Sequence, residues 1–347
     1  GTTDLSIIQG QGDITVNPTT AGRGTLAWSQ IGASRHLTLA TRNGNLTFTG
    51  SSGTTGVGSS KNVGLYVKGD INLVANNVDL QGSRLITGGA LNITATTGNV
   101  NTNALQVTQT AAGYNNIYWD YAELMGATGV NVRAAGNINF NAVRAHSANA
   151  GVTIQSGGNT TIAGNYSRFT VNNQGSGGWY QDETGLWSSS INGKTGVNIG
   201  AMGGTLTLNA TNVYASAGKA SLQALGNINL EAGQIHKLHQ ATSTRVERSW
   251  LGLKKKVYTT HHHREYLSNK PVTITAQDIE VKAGNTVNTY GSQFSATRHL
   301  NLQAGDAINY YALYDLQDIS DTTYKKISFA GIKYNSATTV NSTFKLT

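Results

Sequence analysis

The side chains best suited to chemistry in this 347-residue chain are five histidines. His261-His262-His263 follows His236 and His239 along the sequence. In an extended strand His261 and His263 share a face, and His236-x-x-His239 is a spacing that metal sites tolerate. The chain has no Cys, so thiolate ligands and disulfides are both excluded. No adjacent Asp completes a ligand set, and the surrounding Lys and Arg repel a cation. The residues therefore predict an exposed ribbon tip, with neither metal nor cofactor. Imidazoles titrate near about 6.5, so mild acid adds charge to an already basic ribbon.

Carboxylates are the second candidates. Glycoside hydrolysis and polysaccharide elimination need acids or bases that converge on one face. The available sets are Asp120 with Glu123, Asp182 with Glu183, and Asp315 with Asp318 and Asp321. They lie far apart along the chain, and adjacent Asp182-Glu183 point to opposite faces if extended. No nucleophile elbow of the Gly-x-Ser-x-Gly type occurs, nor a phosphate-cradling loop of the Gly-x-x-x-x-Gly-Lys-Thr type. The expectation is a non-enzymatic protein with no catalytic residues and no small-molecule substrate.

The net charge of +8 is local. His236 to Lys270 carries eight Lys and Arg against Glu247 and Glu265, which accounts for +6 of the total. Basic residues confined to one segment do not make a nucleic-acid track, so no nucleic-acid partner is expected. The stretch from Thr244 to Tyr266 reads as a β-hairpin with Gly252 at its turn and Val246 facing Val257 or Tyr258. Trp250 at the tip, beside Lys254, Lys255 and Lys256, suits an anionic lipid or polysaccharide. A solvated edge ribbon that charge protects from aggregation is the plainer reading.

The elements that must hold these residues follow from composition and repeats. Gly (42), Thr (44) and Asn (35) make up about a third of the chain, and 12% of residues are charged. That composition excludes collagen, a helical bundle and a disordered chain. One phrase recurs as Gly69-Asp70-Ile71-Asn72-Leu73, Gly136-Asn137-Ile138-Asn139-Phe140 and Gly226-Asn227-Ile228-Asn229-Leu230. Period-two alternation marks strands with one buried face, and intervals such as Ile71 to Leu91, Phe140 to Ile162, Leu208 to Leu230 and Val281 to Leu302 are 20 to 22 residues. The fold expected is all-β, a right-handed parallel β-helix (β-solenoid) of about 21-residue coils, with Asn and Thr ladders along the stack. A β-sandwich is the competitor.

Residues 1–305 are read as solenoid, interrupted at 105–127, 165–194 and 236–270, with 306–347 a fourth Tyr-rich excursion or partial repeat. β-Hairpin excursions are thus expected about every three coils. They hold Trp119, Tyr121, Trp179, Trp187, Trp250, Tyr258, Tyr311 and Tyr314, which with Lys254, Lys255 and Lys256 are the expected membrane or partner contacts.

The phrases Gly-Asn-Ile-Asn-Leu, Ala283 to Ser292 and Leu300 to Asn309, with the basic insertion Ser249 to Lys256, resemble filamentous haemagglutinin repeats. The resemblance is to the later repeat block of two-partner-secreted exoproteins, contact-dependent growth inhibition effectors among them. It implies a β-helical stalk, secretion through an outer-membrane transporter, and residence on the surface of a Gram-negative cell. It further implies engagement of a target cell's outer membrane, its lipids or a receptor, in delivery of a C-terminal toxin. An adhesin stalk that binds surface glycans or receptors is the alternative. Asn17-Pro18 is followed by Thr19-Thr20, so the Asn-Pro-Asn-Gly-Ile type export signature is not evident. The start at Gly1, without Met, reads as a segment of something longer.

Overall fold

A computed structural model describes residues 7–10, 14–17, 25–27, 32–33, 36–41, 43–49, 63–173, 178–249, 251–330 and 332–347. The strands fall into three sheets, and the first two form the expected parallel β-helix. One coil runs through Ser83–Thr87, Ala90–Ala95 and Val100–Asn103. The first two strands of such a coil belong to a 17-stranded sheet and the third to an 11-stranded one. Each pairs in parallel with its equivalent one coil away: Ile71 with Leu91, Leu91 with Val130, Val130 with Val152, Val152 with Val197. That column of aliphatics lies at the core, each side chain 2% exposed or less. Burial alternates along the strands as the period-two pattern requires, buried then half-buried through Ile71–Ala75 and Val152–Ser156.

Outward-facing Asn residues form ladders up the stack. Asn92 Nδ2 donates to Asn72 Oδ1 at 2.9 Å, and Asn131 Nδ2 donates to Asn92 Oδ1 at 2.9 Å. At a neighbouring corner the Asn carbonyl accepts from the backbone of the next coil: Asn99 N to Asn77 Oδ1, Asn137 N to Asn99 Oδ1, Asn159 N to Asn137 Oδ1. The abundant Asn thereby satisfies corner amides that have no strand partner.

The corner from the third strand of one coil to the first strand of the next has two forms. In one, a single residue in the left-handed region makes the turn: Gly82 (φ 59°), Ala142 (φ 49°), Ala210 (φ 45°) and Gly291 (φ 60°). In the other, the chain leaves as a hairpin. Hairpin I is Leu105–Ala111 with Tyr114–Asp120, and hairpin II is Asn165–Asn173 with Trp179–Trp187. Hairpin III is Gly233–Arg248 with Lys254–Lys270, and hairpin IV is Leu316–Phe329 with Ile332–Leu346. The two forms alternate, so hairpins emerge after every second coil, where three had been expected. The physical reason is that each hairpin adds its own residues to the sequence interval, which stretches two coils to the apparent length of three.

Two coils rise about 9.6 Å, which is also the width of two paired strands. Successive hairpins therefore meet edge to edge, and the eight hairpin strands make one continuous antiparallel sheet in chain order. Hairpins I, II and IV are shorter than the excursions expected from sequence, whereas hairpin III begins earlier than expected, at Gly233. Ala122–Gly126 and Ser189–Gly193 return to the coil stack with alternate residues buried. Ala307–Tyr311 also belongs to the stack, through its pairing with Thr286–Tyr290, though none of its residues is buried.

Candidate functional site

The hairpin sheet gathers the candidate residues, and it divides them between its faces and its ends. Strand alternation sets Tyr118 and Trp187 on one face near the hairpin roots. Their rings stack at 6.3 Å, and Tyr121 contacts Trp187 at 5.0 Å. Tyr121 also lies under the Arg144 guanidinium, 3.9 Å from ring to cation. Trp119 Nε1 donates to the Tyr166 carbonyl at 2.7 Å, tying hairpin I to hairpin II. Tyr166 Oη in turn accepts from Gln234 N at 3.2 Å, tying hairpin II to hairpin III. Trp119, Tyr121 and Trp187 thus lash hairpins to one another and to the coils. Tyr311 belongs to a coil strand and stacks on Tyr290 at 4.6 Å; Tyr314 is exposed at the root of hairpin IV.

The carboxylate sets do not meet. Asp120 binds Arg84 at 2.8 Å, while Glu123 lies 3.7 Å from both Arg84 and Arg144. Asp182 accepts from Arg168 at 2.8 Å, which holds its carboxyl below the usual range; Glu183, on the other face, accepts from Gln181. Asp315 caps Asn269 N at 2.8 Å at the root shared by hairpins III and IV.

Hairpin III forms as the sequence indicates, with Val246 opposite Val257 and Gly252 at φ 70° in the turn. The histidine triplet is not at the tip, however. It sits in mid-strand, paired on one side with Gln240–Thr242 and on the other with Ser320–Thr322 of hairpin IV. The acids that seemed absent from sequence come from that neighbour. On one face His262 Nδ1 lies 2.9 Å from Asp321 Oδ1, and Arg264 lies 2.7 Å from the same oxygen. Arg264 first and His262 second hold the Asp321 carboxyl down to about 2. On the opposite face Glu265 and Asp318 are direct cross-strand partners. His236 Nε2 lies 2.8 Å from Glu265 Oε1 and His263 Nε2 lies 3.5 Å from Glu265 Oε2. The His236 contact holds the Glu265 carboxyl below its ordinary range. His239 packs against Trp179 at 6.1 Å, and His261 meets Tyr324 edge-on at 5.4 Å.

Where hairpin III outruns hairpin II, a recess of about 540 Å³ opens between Trp179, Tyr180, Gln240, Thr242 and His261–His263. Farther out, the tips of hairpins III and IV stand side by side: Lys254 pairs with Phe329, and Ala330 N donates to the Leu253 carbonyl at 3.0 Å. Leu251 (68%), Leu253 (53%), Phe329 (52%) and Ile332 (59%) are exposed there, with Arg248, Lys254, Lys255 and Lys333 around them. Lys256 is instead half-buried, 3.8 Å from Glu247, and Tyr258 Oη donates to that Glu247 carboxylate at 3.3 Å. Trp250 lies outside the described residues. The second half of the tip was hidden in sequence because Lys326 to Tyr334 alternates like one strand; the chain in fact reverses at Ala330, φ 47°.

Comparisons of the chain with family models, with curated proteins and with solved structures found no match.

Proposed function

We propose that the chain is a non-enzymatic module of a secreted surface exoprotein, in which a β-helical stalk presents a hairpin sheet to a neighbouring cell's outer membrane. The observation that carries this reading is the joint tip of hairpins III and IV. Four large apolar side chains and four cations share one exposed knob at the end farthest from the stalk. An apolar patch ringed by Lys and Arg gains from burial at an acyl boundary and from attraction to anionic headgroups. The resemblance of the coil phrases to haemagglutinin repeats supplies the setting: a stalk exported through an outer-membrane transporter that helps carry a C-terminal toxin into a target cell.

The test is co-sedimentation of the chain with vesicles containing lipopolysaccharide or anionic phospholipid. Binding is expected to fall at least tenfold in Leu251→Asp/Leu253→Asp and in Lys254→Glu/Lys255→Glu. Binding that both double variants retain, or no binding by the parent chain, sinks the reading.

An adhesin that takes surface glycans is the second reading, favoured by the recess at Trp179. The recess lies at the sheet edge, with Trp179 and His262 toward one face and Tyr180, Gln240, Thr242, His261 and His263 toward the other, so an indole for stacking has donors and acceptors around its rim. A glycan array bound by the parent chain but not by Trp179→Ala, with vesicles ignored, supports it over membrane engagement.

A further inference from the structure

The seam between hairpins III and IV contains an arrangement that pairing alone does not favour. Glu265 and Asp318 lie directly opposite each other across the antiparallel ladder. Like charges at directly opposed positions destabilise a sheet. Two residues along the same face of that strand stands His263, its Nε2 3.5 Å from Glu265. One ligand atom from each of His263, Glu265 and Asp318 can be chosen so that all three lie within 4.8 Å of one another. All three side chains are half-buried, and the two strands that carry them are each paired on both flanks.

We propose that this seam binds a divalent transition metal of the zinc class through His263, Glu265 and Asp318, so that the ion bridges hairpins III and IV. The donor set is one imidazole nitrogen and two carboxylates, which suits Zn²⁺ or Mn²⁺ and offers no thiolate to softer ions. Metal–ligand bonds of about 2.0–2.2 Å set tetrahedral donors about 3.4 Å apart, so the three side chains must close by up to about 1.4 Å on binding, within the reach of rotamer adjustment. The neighbours are those that ligands usually have. His236 bonds the Glu265 carboxylate oxygen that faces away from His263 and so orients it. Gln240 Nε2 lies 3.4 Å from His263 Nδ1; turning that amide over by 180° puts its carbonyl there to accept the ring N–H, which leaves His263 Nε2 free for the ion. Bridging places the cation between the two opposed carboxylates and offsets their repulsion.

His261 and His262, though adjacent in sequence, are not ligands. His262 points to the other face and is held by Asp321 and Ser243. His261 is bonded to Thr242 and packed on Tyr324. This separates a built site from adventitious binding by a histidine run.

The experiment is titration of the chelator-stripped full chain with ZnCl₂ and, separately, MnCl₂, followed by calorimetry and thermal unfolding. One ion per chain is expected, with affinity lowered on the order of tenfold or more in His263→Ala and in Asp318→Asn, and by about tenfold in His236→Gln. His262→Ala is expected to bind as the parent does. X-ray absorption of the zinc-loaded parent is expected to show one imidazole among oxygen donors, a readout that survives poor folding of any variant. No stoichiometric binding, equal loss in His262→Ala, or two or more imidazoles around the metal overturns the proposal.

Discussion

Ala104 and Ala142 occupy the same corner of successive coils, and the Ala104 amide donates to the Asn141 carbonyl at 3.0 Å. Both side chains are buried, at 2% and 0% exposure. At Ala142 the chain turns in the left-handed region and continues the stack; after Ala104 it departs as hairpin I. The solenoid and its hairpin sheet are thus built from one corner used in two ways.

The turning form strains an L-residue, and the corner has no room for a branched side chain. Ala142→Val is expected to cost about 2–4 kcal/mol, from left-handed strain and overpacking together. Ala142→Gly is expected to stay within about 1 kcal/mol of the parent, since strain is relieved as chain entropy is lost. Urea unfolding measures both, and equal midpoints for Ala142→Val and the parent would remove the strained-corner account.

The Asn ladder makes its own contribution. Asn92 bonds Asn72 below and Asn131 above. Asn92→Ala removes both contacts and is expected to destabilise by about 1–2 kcal/mol. Because stability in stacked repeats is nearest-neighbour, amide exchange should accelerate in the coils on either side and scarcely at all three coils away. Uniform acceleration throughout the chain contradicts this.

Trp187 is assigned here to the lashing of hairpins I and II rather than to a membrane. Trp187→Ala is expected to lose about 2 kcal/mol, less than the 3–5 of a wholly buried ring. Vesicle binding through the distant tip should be unchanged. A variant of parental stability that no longer binds vesicles reverses the assignment.

Acid should loosen the seam between hairpins III and IV. The Asp321 carboxyl is held at about 2 against an ordinary 3.8, so the unfolded chain takes up its proton first as pH falls. The stabilisation is therefore complete above about pH 4 and disappears between there and pH 2. Asp182 and Glu265, also held low, act in the same direction, while burial raises Asp79 and opposes them. The difference between the parent and Asp321→Asn isolates the one group. Melting temperatures from pH 6 to pH 2 should converge at the acid end, and parallel curves throughout refute the linkage.

Local pattern carried a large part of this protein in its sequence. Period-two alternation and a 20-to-22-residue interval specify stacked parallel coils, because each coil buries one face against an identical neighbour. The turn at Gly252 and the pairing of Val246 with Val257 are equally local, settled by a glycine and the residues that flank it. Other relationships depend on how far separate segments rise along the stack. Ala104 and Ala142 are the same residue type at the same corner, and nothing within either coil says which one turns. That two coils and two hairpin strands span the same height is what brings hairpin IV beside hairpin III. Only through that match do Asp321 and Asp318 reach His262 and His263, and only through it do Phe329 and Ile332 join Leu251 and Leu253 in one exposed tip.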